Sequence, residues 1–141
     1  MIYRFGTLED CPQIYELICQ LEETQLPYAR FSRIWEKQSG SPDHVSLVCE
    51  EEGMLLGVLN LRFEDQLHHA DTMAEIMELA VRSGSRSRGI GKALITWAYE
   101  IAREKGCLQI EASCNQSRVH AHRFYLREGM ENRHFKFSHK L

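Results

Sequence analysis

Residues 74–105 constrain this chain more than any other stretch. An extended apolar run over residues 74–81 leads through Arg86-Ser87-Arg88-Gly89-Ile90-Gly91 into a helix predicted over residues 90–105. Its apolar positions, Ala93, Leu94, Trp97, Ala98, Ile101 and Ala102, recur at i, i+3 and i+4, and Gly106 ends it. A strand that turns through two glycines straight into a helix leaves backbone N–H groups open at the helix start. Those donors, together with the positive end of the helix dipole, suit a phosphate; the dipole contributes about 0.3–1 kcal/mol per charge. The candidate cradle is the backbone of Arg86, Ser87, Arg88, Gly89, Ile90, Gly91 and Lys92, with Arg88 and Lys92 able to add charge-assisted contacts. The same glycines would equally serve a plain tight turn.

The remaining chain sets limits. At 141 residues it is expected to form one domain, residues 1–141, able to bury a core without staples. A net charge of −3 argues against a nucleic-acid partner, since phosphate neutralisation needs a basic surface. No apolar run reaches membrane-spanning length and Met1-Ile2-Tyr3-Arg4-Phe5 has no signal-peptide pattern, so no membrane partner and a cytoplasmic location are expected. Five cysteines, an odd number with no CxxC pair, read as free thiols in a reducing compartment.

Local signals give an element order β α α β β β α β α β. Residues 2–5 form a short strand. Thr7 and Asp10 resemble a capping box ahead of a helix that buries Ile14, Leu17, Ile18 and Leu21. Pro27 separates it from a second helix over about residues 30–37, and residues 40–42 turn. Strands at residues 45–50 and 54–63 flank the hairpin signal Glu51-Glu52-Gly53, and a longer strand covers residues 72–81. After the central helix come a strand at 108–113, a helix at 120–127 closed by Gly129, and a final strand at 134–138. This is an α/β (α+β) architecture with a mixed central sheet flanked by helices.

Arg86-x-x-Gly89-x-Gly91 resembles the acetyl-CoA signature, Gln/Arg-x-x-Gly-x-Gly/Ala, of the GNAT superfamily of N-acetyltransferases. Ala121-x-x-Phe124-Tyr125 followed by Glu128-Gly129-Met130 resembles that family's late helix and turn. The likeness covers essentially the whole chain and is nearest to the bacterial aminoalkylphosphonate N-acetyltransferases. It rests there on Leu67-His68-His69, on Glu75-Ile76-Met77-Glu78-Leu79, on residues 121–129 and on His134-Phe135-Lys136-Phe137. Arg118, where an asparagine is common, and Met130, where an aromatic is usual, depart from the general pattern.

The resemblance implies the GNAT fold and acetyl transfer from acetyl-CoA to a small primary amine. Such an amine is almost fully protonated at neutral pH and needs a base. Glu75, eleven residues before Arg86, is the first candidate and Glu78 the second. In a regular strand the two point to opposite faces, so only one should reach the cleft unless a bulge intervenes. Backbone N–H groups of Leu79, Ala80 and Val81 would hold the oxyanion, and Tyr125 matches the general acid that protonates the departing thiolate. The arm of the coenzyme would also meet Asn115, Arg118 and Tyr125. A phosphonate needs cationic or polar partners, for which His68, His69, His122, Arg133 and Lys136 are candidates alongside Arg118.

The phosphonate-acetylating relatives imply a divalent metal as an aid. Yet His68-His69 is poor ligand spacing, and no metal ligand is assigned. Cys107 and Cys114 have no activating base nearby in sequence, so direct transfer is expected rather than an acyl-enzyme. The alternatives are another amine (a polyamine, an aminoglycoside or a protein amine) or a non-catalytic acyl-CoA-binding module; the presence of Glu75 and Tyr125 favours catalysis. By family analogy a homodimer is expected, with Trp35 or the C-terminal strand at its interface.

Overall fold

Three long strands of alternating or continuous apolar character form the frame: β2 (His44–Glu51), β3 (Met54–Gln66) and β4 (Asp71–Val81). The computed structural model describes residues 1–141. The β2–β3 turn places Glu52 at φ 50° and Gly53 at φ 80°. Two left-handed central residues match the right-handed twist of the flanking strands. β1 (Ile2–Phe5) adds to the edge of β2, with Ile2 opposite Glu50. From β4 the chain crosses over through α3 (Ile90–Glu104) to β5 (Gln109–Ala112), which runs parallel to β4 because a helix connects them. The sheet order is β1-β2-β3-β4-β5.

The helices α1 (Cys11–Glu22) and α2 (Tyr28–Ser39) cover one face of the sheet, where Ile14, Leu17 and Trp35 bury against Val48, Leu55 and Val58. The opposite face is covered by α3, whose Leu94, Ile95 and Ala98 bury against Leu47, Leu59 and Leu61. There α4 (Val119–Arg127) contributes Phe124 and Tyr125. The closeness of α3 depends on Gly57: a Cβ there would lie 2.8 Å from Cγ2 of Ile90 and 3.2 Å from Cδ1 of Leu94.

The predicted elements are present with shifted bounds, except at the C-terminus. Thr7 and Asp10 form the expected box, the Thr7 N–H donating to the Asp10 carboxylate at 2.7 Å, but the first turn, Leu8–Asp10, is 3-10 before α1 begins. The carboxylate of Asp10 also takes a bidentate pair from Arg4 (2.8 and 2.9 Å), which holds its pKa below the usual range. Pro27 caps α2, which runs further than residues 30–37 at both ends.

The strand expected at 134–138 does not form: residues 130–141 have no regular structure, and Phe135 and Phe137 are 82% and 92% exposed. An alternating pattern becomes a strand only when a neighbouring edge supplies hydrogen bonds and a face to cover, and here no edge pairs with it. Trp35, expected at an interface, is instead a core residue beneath α2.

Candidate active site

The site begins with a register fault in β4. Asn60 of β3 stands opposite Glu78, but its neighbour Leu61 stands opposite Ile76, so Met77 is extruded from the ladder as a bulge. Beyond it the alternation is reversed. Glu78 shares the face of Asn60, Glu75 shares the face of Arg62, and both glutamates therefore emerge on the α1/α2 side of the sheet. The expectation that they point to opposite faces is corrected by this one extra residue.

Their environments differ. Arg62 donates to Glu75 at 2.8 Å and lies 3.6 Å from Glu64, so Glu75 is the counterion of an arginine. Glu78 has no cation; Asn60 Nδ2 donates to it at 3.0 Å. Burial pushes the Glu78 carboxyl above the usual carboxylate range; the Asn60 hydrogen bond opposes this and the charge of Glu22 adds to it. A raised carboxyl pKa with no ion-pair partner is the condition of a general base, which identifies Glu78 rather than Glu75 as the better candidate.

Pairing between β4 and β5 covers only Met73–Ile76 against Gln109–Ala112, so from Met77 onward β4 has no neighbour on that side. The splay opens a cleft of about 200 Å³ that reaches both faces of the sheet. Glu78 and Leu79 line it from β4, Cys114 and Asn115 from the segment after β5, and Arg118 and Tyr125 from α4. Burial pushes the Tyr125 phenol up to about 12, with Cys114 adding to the shift and Arg118 opposing it. It therefore keeps its proton at neutral pH. Tyr99 Oη, donating to the Glu128 carbonyl at 2.8 Å, ties the end of α4 to α3. Arg118 caps α4, donates to the Leu21 carbonyl at 2.7 Å and lies 3.6 Å from Glu22, closing the cleft against the end of α1.

The turn before α3 has the form expected of an anion cradle. Ser87 and Gly89 both have positive φ (64° and 80°), and a Cβ on Gly89 would meet nothing within 4 Å, which leaves open space above the helix start. Ile90 puts its side chain in the core and offers only its backbone. Gly91 has a packing role that the motif did not reveal: a Cβ there would lie 3.4 Å from the Phe124 ring, so its bareness lets α4 lie close to α3. Arg86 and Lys92 are exposed at the turn, whereas Arg88 makes a bidentate pair with Glu51 at 3.0 and 3.1 Å.

Other candidates are scattered. His68 and His69 lie in the exposed β3–β4 turn, His69 bonded to Gln66, seven or more residues along β4 from Glu78, or roughly 20 Å at strand rise. His122 bonds the Asn115 carbonyl at 2.8 Å, beside the cleft. Arg133 pairs with Glu131 and, like Lys136, lies in the exposed C-terminal segment. No three His, Cys, Asp or Glu side chains come together in an arrangement able to hold a metal. Asn60 and Arg62 escaped the sequence reading because their roles depend on the bulge register, and no local signal marks Met77 as the extra residue. No helix is long and apolar enough to cross a membrane.

Comparison with known proteins agrees with this geometry. The chain is 38% identical over 138 residues, 98% of its length and 90% of the relative's, to an aminoalkylphosphonate N-acetyltransferase of Salmonella typhimurium. Among solved structures it superposes on a transcriptional regulator from Bacillus halodurans C-125 with a TM-score of 0.90 at 24% identity, covering 99% of each chain. It also superposes on an aminoglycoside acetyltransferase from an uncultured soil metagenomic sample with a TM-score of 0.85 at 23% identity, covering 99% of this chain and 95% of that one. These two show the shared fold. The model of the Acetyltransferase (GNAT) family matches residues 9–130, and the chain, with its splayed sheet and a cleft lined by Glu78 and Tyr125, belongs to the GNAT acetyltransferases.

Proposed function

We propose that this enzyme transfers the acetyl group of acetyl-CoA directly to the primary amine of an aminoalkylphosphonate. The observation that carries the reading is the meeting of Glu78 and Tyr125 on one cleft, in a chain whose 38% identical relative bears that activity in its name. The backbone of residues 86–92 receives the coenzyme's diphosphate, assisted by Arg86 and Lys92, and Arg88 joins only on leaving Glu51. Asn115 and Arg118 flank its arm.

Glu78, directly or through a water, takes a proton from the substrate ammonium. The freed nitrogen attacks the thioester carbonyl carbon, and open main-chain donors on the unpaired edge of β4, among Leu79, Ala80 and Val81, carry the negative charge that develops on oxygen; such donors are worth several kcal/mol. As the carbon–sulfur bond breaks, Tyr125 gives its proton to the thiolate and later recovers one from solvent. Glu75 serves by holding Arg62. Arg118 and His122 border the cleft, while His68, His69, Arg133 and Lys136 lie elsewhere in this chain. Neither a metal nor a second subunit enters this scheme.

A thiol-release assay with acetyl-CoA and 1-aminoethylphosphonate tests the reading, run beside a polyamine, an aminoglycoside and a peptide amine, with and without EDTA. Preference for the phosphonate supports it. Turnover confined to another amine, or tight coenzyme binding with no turnover at all, refutes it.

A further inference from the structure

Five buried side-chain nitrogen or oxygen atoms find no hydrogen-bond partner: Trp35 Nε1, His44 Nδ1, Ser46 Oγ, Asn60 Oδ1 and Arg62 Nε. All five belong to one patch. Ser46 stands opposite Asn60 across the β2–β3 ladder, and His44 stands opposite Arg62, two residues along. The side chain of Trp35, itself 7% exposed, covers them from α2. A cavity of about 170 Å³ lies between, lined by Trp35, His44, Ser46 and Asn60. Unpartnered buried polar atoms are few in native structures, and five on one patch point to a missing partner.

The chain also keeps the space clear. A Cβ on Gly6 would lie 2.9 Å from Ser46 Oγ and 3.3 Å from the Trp35 ring. Gly6 has no positive φ, so its backbone does not call for glycine; the room does. No carboxylate and no lysine line the cavity. Trp35 presents an N–H that can only donate, the ring nitrogen of His44 can donate, and Ser46 can do either. Asn60 has its Nδ2 engaged by Glu78, which leaves Oδ1 as an acceptor. Arg62 lies outside the lining and is paired with Glu75 at 2.8 Å and Glu64 at 3.6 Å, so no free cation faces the cavity. Several donors, one acceptor and no full charge in the lining suit a tetrahedral oxyacid with no more than one negative charge and one remaining O–H.

Resting on the function proposed above, we propose that this cavity is the subsite for the substrate's phosphonate group, in its singly ionised form. Its charged oxygens accept from Trp35, His44 and Ser46, and its O–H donates to Asn60. The amide of Asn60 then joins the two ends of the substrate: Oδ1 meets the oxyacid while Nδ2 holds Glu78, the base for the amine. Met77, the extruded residue, borders both this cavity and the catalytic cleft, so the bulge brings the two together.

The test uses the indole N–H resonances of the two tryptophans, Trp35 and Trp97, assigned with Trp35→Phe. Titration with methylphosphonate should shift the Trp35 signal saturably and leave Trp97 in place, and Gly6→Ala should abolish the shift. In kinetics, Trp35→Phe should raise KM for 1-aminoethylphosphonate about tenfold with kcat within about twofold, as expected for one lost hydrogen bond. Ser46→Ala, which leaves the helix packing alone, should act in the same direction. Turnover of the phosphonate with no Trp35 shift, and with KM unchanged in all three variants, would mean that the cavity holds water only and would overturn the subsite. A shift with inorganic phosphate while Trp35→Phe leaves KM untouched would make it a free-anion site and overturn it equally. A methylphosphonate shift in a protein that does not acetylate aminoalkylphosphonates would uphold the oxyacid subsite and fault the substrate reading instead.

Discussion

Glu75 and Glu78 lie three residues apart on one strand and emerge from the same face of the sheet, because Met77 between them has no partner in β3. One is neutralised by Arg62 and the other is held by the neutral amide of Asn60. The bulge thus places a salt-bridged carboxylate and one with no cation side by side. A register slip of a single residue decides which partner each glutamate meets.

That difference is measurable. Glu78→Gln should lower kcat/KM by about 100-fold, within the range of a lost general base, while Glu75→Gln should cost less than about tenfold. The acidic limb of the pH profile should lie above the ordinary carboxylate range, since the base works only when ionised and burial raises its pKa. A profile with its limb near pH 4, or a larger loss for Glu75→Gln, would exchange the roles.

The same burial predicts a stability change of unusual sign. A carboxyl whose folded pKa lies above its unfolded value binds its proton more tightly in the native state, so its contribution is favourable at low pH and is lost as pH rises through the folded pKa. At pH 7 the burial of Glu78 therefore works against the fold. Glu78→Gln should raise Tm at pH 7, with the gain shrinking toward pH 4; equal Tm values at both pH values would argue against this burial.

Tyr125→Phe keeps the ring that packs on the core and removes the acid. We expect kcat to fall about 100-fold with the Kd for acetyl-CoA within about twofold, read by stopped-time thiol release and by calorimetry. A parallel loss of coenzyme affinity would make Tyr125 a binding residue instead.

Gly89 and Gly53 form a matched pair, both at φ 80° with open space where a Cβ would stand. Alanine at either position should destabilise the protein by about 1 kcal/mol through the left-handed backbone. Only Gly89→Ala should weaken acetyl-CoA binding, by about tenfold or more in calorimetry. Equal affinities in the two variants would remove the diphosphate from this turn.

Gly57→Ala tests the packing that positions the cradle. Its Cβ would push on Ile90, the first residue of α3, and overpacking of this kind costs about 1–3 kcal/mol. Tm should fall and, because the helix start moves with Ile90, acetyl-CoA affinity should fall with it; a lower Tm with unchanged affinity would uncouple the two.

Much of this protein follows from local pattern. The hairpin at Glu52-Gly53, the amphipathic run of α3, the box at Thr7 and Asp10 and the turn through Gly89 are each specified by residues close together in the chain. Their spacing acts through backbone conformation and one-sided burial, so it can be read without knowing the fold. The pairing of Glu78 with Asn60 and of Glu75 with Arg62, the core position of Trp35 and the solvent exposure of residues 134–138 come from tertiary structure alone. They depend on cross-strand register and on which edges find a partner, and these are settled by contacts between segments far apart in sequence, where one unpaired residue reverses every side chain beyond it.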